Sequence, residues 1–158
     1  MSRYVWSALN TQQVGAYAEY FVKMELTMHG FQVYNTEVDD HGIDFIARLA
    51  DGPFIEIQVK SLRELGYVFL PKHKFTPRPN LYCAFALLVE GKAPELFLIP
   101  ATAWQETSAL LADHDYKGLK SPPEYGLNVS KKNMPLLQMY RFESTVHSMR
   151  GDTTPPAT

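Results

Sequence analysis

Apolar positions recur with two different periods along this chain, and the change of period divides it into elements. Between residues 11 and 28, placed at 100° steps, Val14, Tyr17, Ala18, Phe21, Val22, Met24, Leu26 and Met28 make a broad apolar arc. The spacing predicts a helix starting near Asn10 or Thr11. Asn10 with Gln13 three residues later fits a capping box, and Gly30 fits a stop. Phe31–Val38 then reads as a strand, and Asp39-Asp40-His41-Gly42 as a turn. Next, Ile43, Phe45, Ala47 and Leu49 alternate with Asp44, Ile46 and Arg48. After Asp51-Gly52-Pro53, which is strong turn chemistry, Ile55, Ile57 and Val59 alternate with Phe54, Glu56, Gln58 and Lys60. Strand side chains repeat every two residues, so Glu56, Gln58 and Lys60 share one face and three β-branched residues fill the other. Paired as a hairpin, the two runs bring Asp44 to the neighbourhood of Gln58 and Lys60.

The second half is patterned less clearly. Tyr67–Leu70 reads as a short strand, and the proline-rich stretch from Pro71 to Pro79 as a single turn followed by a loop. Leu81–Val89 is a near-continuous apolar run, the mark of a central strand buried on both faces. Glu95–Ile99 returns as another strand, and Pro100 opens an expected helix over Ala101–Ala112. A polar loop over 113–124, a short strand Tyr125–Val129 and a closing helix Asn133–Tyr140 complete the expected domain, residues 1–143. From Ser144 onward Ser, Thr, Gly and Pro dominate, and a mobile tail over 144–158 is expected. The coarse order is α-β-β-β-α-β-β-α, a single α/β domain with a mixed central sheet flanked by helices.

Composition narrows the setting more than the function. A chain of 158 residues that is 46% hydrophobic and 20% charged is an ordinary globular composition for one domain. No apolar run approaches the ~18 residues of a membrane span, and the first residues lack a signal-peptide stretch. Cys83, the one cysteine, excludes an internal disulfide. A cytoplasmic location and no membrane partner are expected. The net charge of −2 carries no global sign of nucleic-acid binding, but its distribution is uneven. Glu37, Asp39, Asp40, Asp44, Asp51 and Glu56 crowd one stretch against Arg48 alone. Lys60, Arg63, Lys72, Lys74 and Arg78 follow against Glu64 alone. Carboxylates bordered by a basic segment suit an enzyme that draws phosphates in beside a cation.

Asp44, Gln58 and Lys60 carry the candidate chemistry. A carboxylate and a side-chain carbonyl are hard oxygen ligands suited to Mg²⁺ or Mn²⁺. A lysine beside them offsets charge on a pentacovalent phosphate or helps deprotonate water. The plainer reading is an amphipathic hairpin with a solvated polar face. Glu56 on the same face is a substitute ligand, and on the helix either Glu19 or Glu25 fits a supporting role. His41 lies near Asp44 in sequence, though a loop histidine is more often a bystander. Lys72, Lys74, Arg78, Lys131 and Lys132 are candidate phosphate contacts, with Phe75 or Tyr67 available to stack on a base. Cys83 reads as a buried small hydrophobe.

Asp44, thirteen intervening residues, then Gln58-Val59-Lys60 resembles the PD-(D/E)XK nuclease superfamily in its variant with Gln in the (E/Q)xK position. Upstream, Gly15-Ala16-Tyr17-Ala18-Glu19 followed by His29-Gly30-Phe31 resembles the helix and first strand of Holliday-junction resolvase-like members. The resemblance covers roughly residues 11–100 and implies a restriction-endonuclease-like core. It further implies a metal-dependent endonuclease hydrolysing phosphodiester bonds, in DNA rather than RNA, and a possible homodimer. It implies catalytic roles for Lys60, Glu19, Asp44 and Gln58. Mg²⁺ or Mn²⁺ would be held by Asp44, Gln58, Glu19 and the backbone carbonyl of Val59. The Gly15-x-x-x-Glu19 match selects Glu19 over Glu25. Gln58 departs from the commoner acid and binds a cation without charge. The alternative is a non-catalytic nucleic-acid-binding or protein-interaction domain that retains the fold.

Overall fold

In a computed structural model, which describes residues 1–38 and 41–151, two sheets share one core and helices flank them. Helix α1, Thr11–Met28, begins with the capping box: Asn10 accepts from the Gln13 N–H at 2.8 Å while the Gln13 side chain accepts from the Asn10 N–H at 2.9 Å. Its buried stripe is Val14, Ala18, Val22 and Leu26. That stripe is narrower than the expected arc, and Met24 and Met28 are exposed. Strands β1 (Phe31–Asn35), β2 (Phe45–Leu49) and β3 (Phe54–Leu62) form an antiparallel meander. β3 then pairs in parallel with β5 (Leu81–Leu87), and β5 pairs antiparallel with β6 (Glu95–Pro100). The main sheet is therefore mixed, in the order β1-β2-β3-β5-β6, with the apolar run of β5 interior to it.

Alternation along β3 separates two cores. Ile55 and Ile57 pack with Val22 and Leu26 of α1 on one face. On the other, Leu81, Cys83 and Phe85 of β5 pack against a second, three-stranded sheet. This sheet consists of β4 (Gly66–Pro71), β8 (Glu124–Val129) and β7 (Leu111–His114), in the order β4-β8-β7. Its inward side chains, Val68, Leu70 and Leu127, close the core from the side opposite α1.

The expected helix Ala101–Ala112 does not form. A short 3-10 turn over Ala101–Gln105 is followed by a bend and then β7. The Ser108 hydroxyl accepts the N–H groups of Leu110 and Leu111 at 3.2 and 3.1 Å, so a local side-chain bond replaces a helical one. Trp104 is buried where the turn meets the second sheet, and its Nε1 donates to the Gly126 carbonyl at 2.8 Å. Trp104→Phe removes that buried hydrogen bond while the carbonyl keeps its place in the β7–β8 ladder. A loss of about 1 kcal/mol is expected, measured as a lower urea midpoint at unchanged slope.

The expected boundary at residue 143 falls inside a helix. After α2 (Met134–Gln138), helix α3 spans Phe142–Met149 with Phe142 and Val146 buried. The Thr145 hydroxyl donates to Leu98 O at 2.8 Å, tying α3 to β6, and Phe142 meets the His29 ring edge-on at 4.9 Å. The rest of the expected tail, residues 152–158, lies outside the described residues, as do Asp39 and Asp40.

Candidate nuclease site

The candidate site forms where the β2–β3 hairpin opens. β2 begins at Phe45, which packs toward α1, so alternation turns Asp44 to the opposite face, the one that carries Gln58 and Lys60. Asp44 Oδ2 accepts the Val59 N–H at 2.6 Å, and the Asp44 N–H donates to Ile57 O at 2.9 Å. The approach to Asp44 is fixed by Gly42. Its φ of +78° suits glycine, and a Cβ there would stand 2.9 Å from Lys74 Cβ and 3.0 Å from Lys74 O. Any larger residue at 42 pushes this loop off the Lys74 segment.

Backbone direction adds a third oxygen. N–H and C=O of one strand residue point to the same edge, alternating along the strand. Glu56 N–H donates toward β5, to Asn80 O at 2.7 Å, whereas Ile57 and Val59 turn toward Asp44. The Val59 carbonyl therefore points to the side where β2 has not yet begun.

Gln58 is only 6% exposed, and its Oε1 is buried with no hydrogen-bond partner among the described residues. Such an orphan costs about 1–3 kcal/mol. Lys60, two residues on, holds its ammonium 5.9 Å from the Phe69 ring centre. Across the parallel register Gln58 faces Cys83. Burial pushes that thiol up to about 12, while Lys60 draws it down and Asp44 raises it further. Both charges are thus near enough to act at one point of β5.

The remaining residues are placed differently. Glu19 lies on α1, on the other side of the sheet, and pairs with Lys23 at 3.1 Å; Lys23 in turn sits 5.3 Å from the Phe45 ring. Glu19 therefore lies toward the same end of β2 as Asp44, but on the opposite face. Glu56 is bonded to Arg78 and to Asn80 Nδ2 (3.2 Å), which occupies the expected substitute ligand. Lys72 is clamped by Asp113 and, at 2.7 Å, by Asp115, over the Tyr125 ring. The Lys72 hydrogen bond holds the Asp115 carboxyl below the usual carboxylate range. Phe75 is fully buried edge-on to Trp104 at 5.3 Å and cannot stack on a base. Lys74 is exposed and lines a cleft of about 390 Å³ with His41, Glu56 and Arg78 beside the candidate site. Lys131 and Lys132 are exposed in the turn after β8. A larger hollow, about 780 Å³, lies around Arg63 and Glu90 and contains none of the candidate residues.

Among the described residues no three His, Cys, Asp or Glu side chains gather in a metal-binding arrangement. The oxygen donors instead are one carboxylate, one orphaned amide oxygen and one backbone carbonyl. That set is of a kind a hard divalent cation accepts, since such ions take neutral as well as charged oxygens.

No protein-family model and no curated protein matches the sequence. Solved structures do match. The fold is that of the restriction-endonuclease-like nucleases, with a mixed central sheet and flanking helices. One neighbour is Hjc, a Holliday junction resolvase from the archaeal hyperthermophile Archaeoglobus fulgidus. It aligns at a TM-score of 0.56 and 15% identity, over 89% of this chain and 98% of that one. Another is the bacterial homing endonuclease I-Ssp6803I, at a TM-score of 0.51 and 14% identity, over 92% of this chain and 99% of that one. No helix among the described residues is long and apolar enough to cross a membrane.

Proposed function

We propose that this chain is a metal-dependent endonuclease acting on DNA. The observation that carries the reading is the buried, unpartnered Gln58 oxygen beside Asp44, on the face that also presents Lys60. The fold shared with a junction resolvase and a homing endonuclease supports DNA as the substrate. In this reading Asp44, Gln58 and the Val59 carbonyl would hold Mg²⁺ or Mn²⁺, while Glu19, across the sheet and paired with Lys23, stands outside that set. A bound cation would polarise the phosphate and lower the pKa of a water. The Val59 N–H fixes one Asp44 oxygen and so orients the carboxylate toward the cation. Lys60 orients the attacking water and offsets the charge that grows on the phosphate oxygens.

The test is calorimetry with Mn²⁺ together with cleavage of plasmid DNA. Wild type is expected to show metal heat and nicking, and Asp44→Ala neither. Equal heats from the two proteins sink the site. A competing reading, a DNA-binding module without turnover, draws on the lack of an acidic triad among the described residues. Binding without cleavage under either metal decides for it.

The ion pairs sort the basic residues. Lys74→Met is expected to lower the salt slope of DNA binding by about 1, while Lys72→Met, whose charge is matched within the chain, leaves it unchanged. Binding isotherms at several salt concentrations measure both.

A further inference from the structure

We propose that the solvent face of the β4-β8-β7 sheet is a stacking platform for unpaired nucleotides next to the cleaved phosphate. Along β4, Val68 and Leu70 point inward, which turns Tyr67 and Phe69 outward; these rings are 39% and 55% exposed. Opposite them β8 has Gly126 at the centre of the sheet. A Cβ at Gly126 would collide with the Tyr67 ring, so the glycine lets that ring lie flat across the strands. The Tyr67 hydroxyl donates to Glu124 and fixes the ring there. The His114 ring follows at 6.2 Å from Tyr67, and Tyr116 stacks on His114 at 5.4 Å. A ring held flat on a sheet has one face covered and the other turned to solvent.

Two features decide the occupant. The row of rings starts at the candidate site, because the Lys60 ammonium sits over Phe69. The charge on this face is also the wrong sign for a duplex backbone: Glu124, opposite His114 and bonded to the Tyr67 hydroxyl, is an acid, whereas Lys72 and Asp113 lie on the Tyr125 side of the sheet. A duplex hides its base faces and offers phosphates, which this surface would repel. A strand with unpaired bases offers ring faces, which stack on aromatic side chains without regard to sequence. The platform therefore selects single-stranded or locally unpaired DNA, with Phe69 taking the base nearest Lys60. The position of the cut rests on the nuclease reading above; the platform itself does not.

The test measures binding of a fluorescein-labelled single-stranded oligonucleotide and of the matching duplex, in EDTA, by anisotropy. Phe69→Ala is expected to weaken single-strand binding about tenfold and duplex binding less than twofold, with Phe69→Trp restoring the wild-type value. Equal losses on both DNAs, or no loss in a variant with an unchanged circular dichroism spectrum, overturn the proposal. So does a platform that binds neither DNA and takes a protein instead. Cleavage is read separately, with Lys60→Ala as the control. Phe69-dependent single-strand binding without cleavage by wild type upholds the platform and removes the nuclease. Cleavage with no Phe69 dependence does the reverse.

Discussion

Alanine in place of Lys60 is expected to slow DNA cleavage by about 10²–10³-fold, the usual cost of removing one preorganised charge from a transition state. In the proposed mechanism the ammonium, 5.9 Å from the Phe69 ring centre, already lies on the face shared with Gln58 and Asp44, so little reorganisation is needed as charge develops. Because Lys60 is partly exposed and its nearest described aromatic contact is that ring, the unfolding midpoint should move by no more than the equivalent of ~0.5 kcal/mol. Single-turnover rates with saturating DNA isolate the chemical step. A variant that cleaves within threefold of wild type would remove Lys60 from the mechanism.

A second large effect is expected at Gln58. Gln58→Glu places a carboxylate at a site that is almost wholly buried. In a chelator that carboxylate is desolvated, which favours its protonated form. A hundredfold weaker acid in the folded chain than in the unfolded one corresponds to a loss of roughly 3 kcal/mol at neutral pH. A folded-state pKa above the unfolded value destabilises only once the unfolded group ionises. The deficit should therefore be absent well below pH ~4, grow from there up to the folded pKa, and level off above it. The melting temperature is expected to fall by about 6–12 °C at pH 7. Mn²⁺ should restore it, since the added charge then has a cation to bind. Gln58→Met separates the two roles: it removes the orphaned oxygen, and neutral or slightly raised stability with no metal heat is expected. Failure of Mn²⁺ to rescue Gln58→Glu argues that no cation sits at this oxygen.

The contrast between what the sequence disclosed and what it hid follows from separation along the chain. The Asn10–Gln13 box and the turn that joins the two strands around residue 51 act within a few residues, and both were legible from residue types alone. So were the alternation that splits β3 into two faces and the burial of β5. The second sheet was not, because β4 meets β8 across some sixty residues and neither strand looks amphipathic without the other. The same distance concealed the partners of Lys72, which lie 41 and 43 residues away, and so made a clamped lysine look available to phosphate. Helix α3 was missed because its polar composition resembles a tail, while Phe142 and Val146 are buried and Met149 packs beside them. Phe69 went unnoticed because the role proposed for it depends on Lys60, which is remote in the local pattern and adjacent in space.

The route of β4 has a consequence for how the chain is made. β3 and β5 are neighbours in one sheet, yet the strand between them belongs to the other, and its partner β8 is completed only at Val129. A nascent chain that has emerged as far as β6 would leave the side of Leu81 and Phe85 without its cover. Closure must wait for distant segments, so slow, single-step folding late in synthesis is the expected behaviour. Fragments ending near residue 100 should aggregate instead of folding halfway.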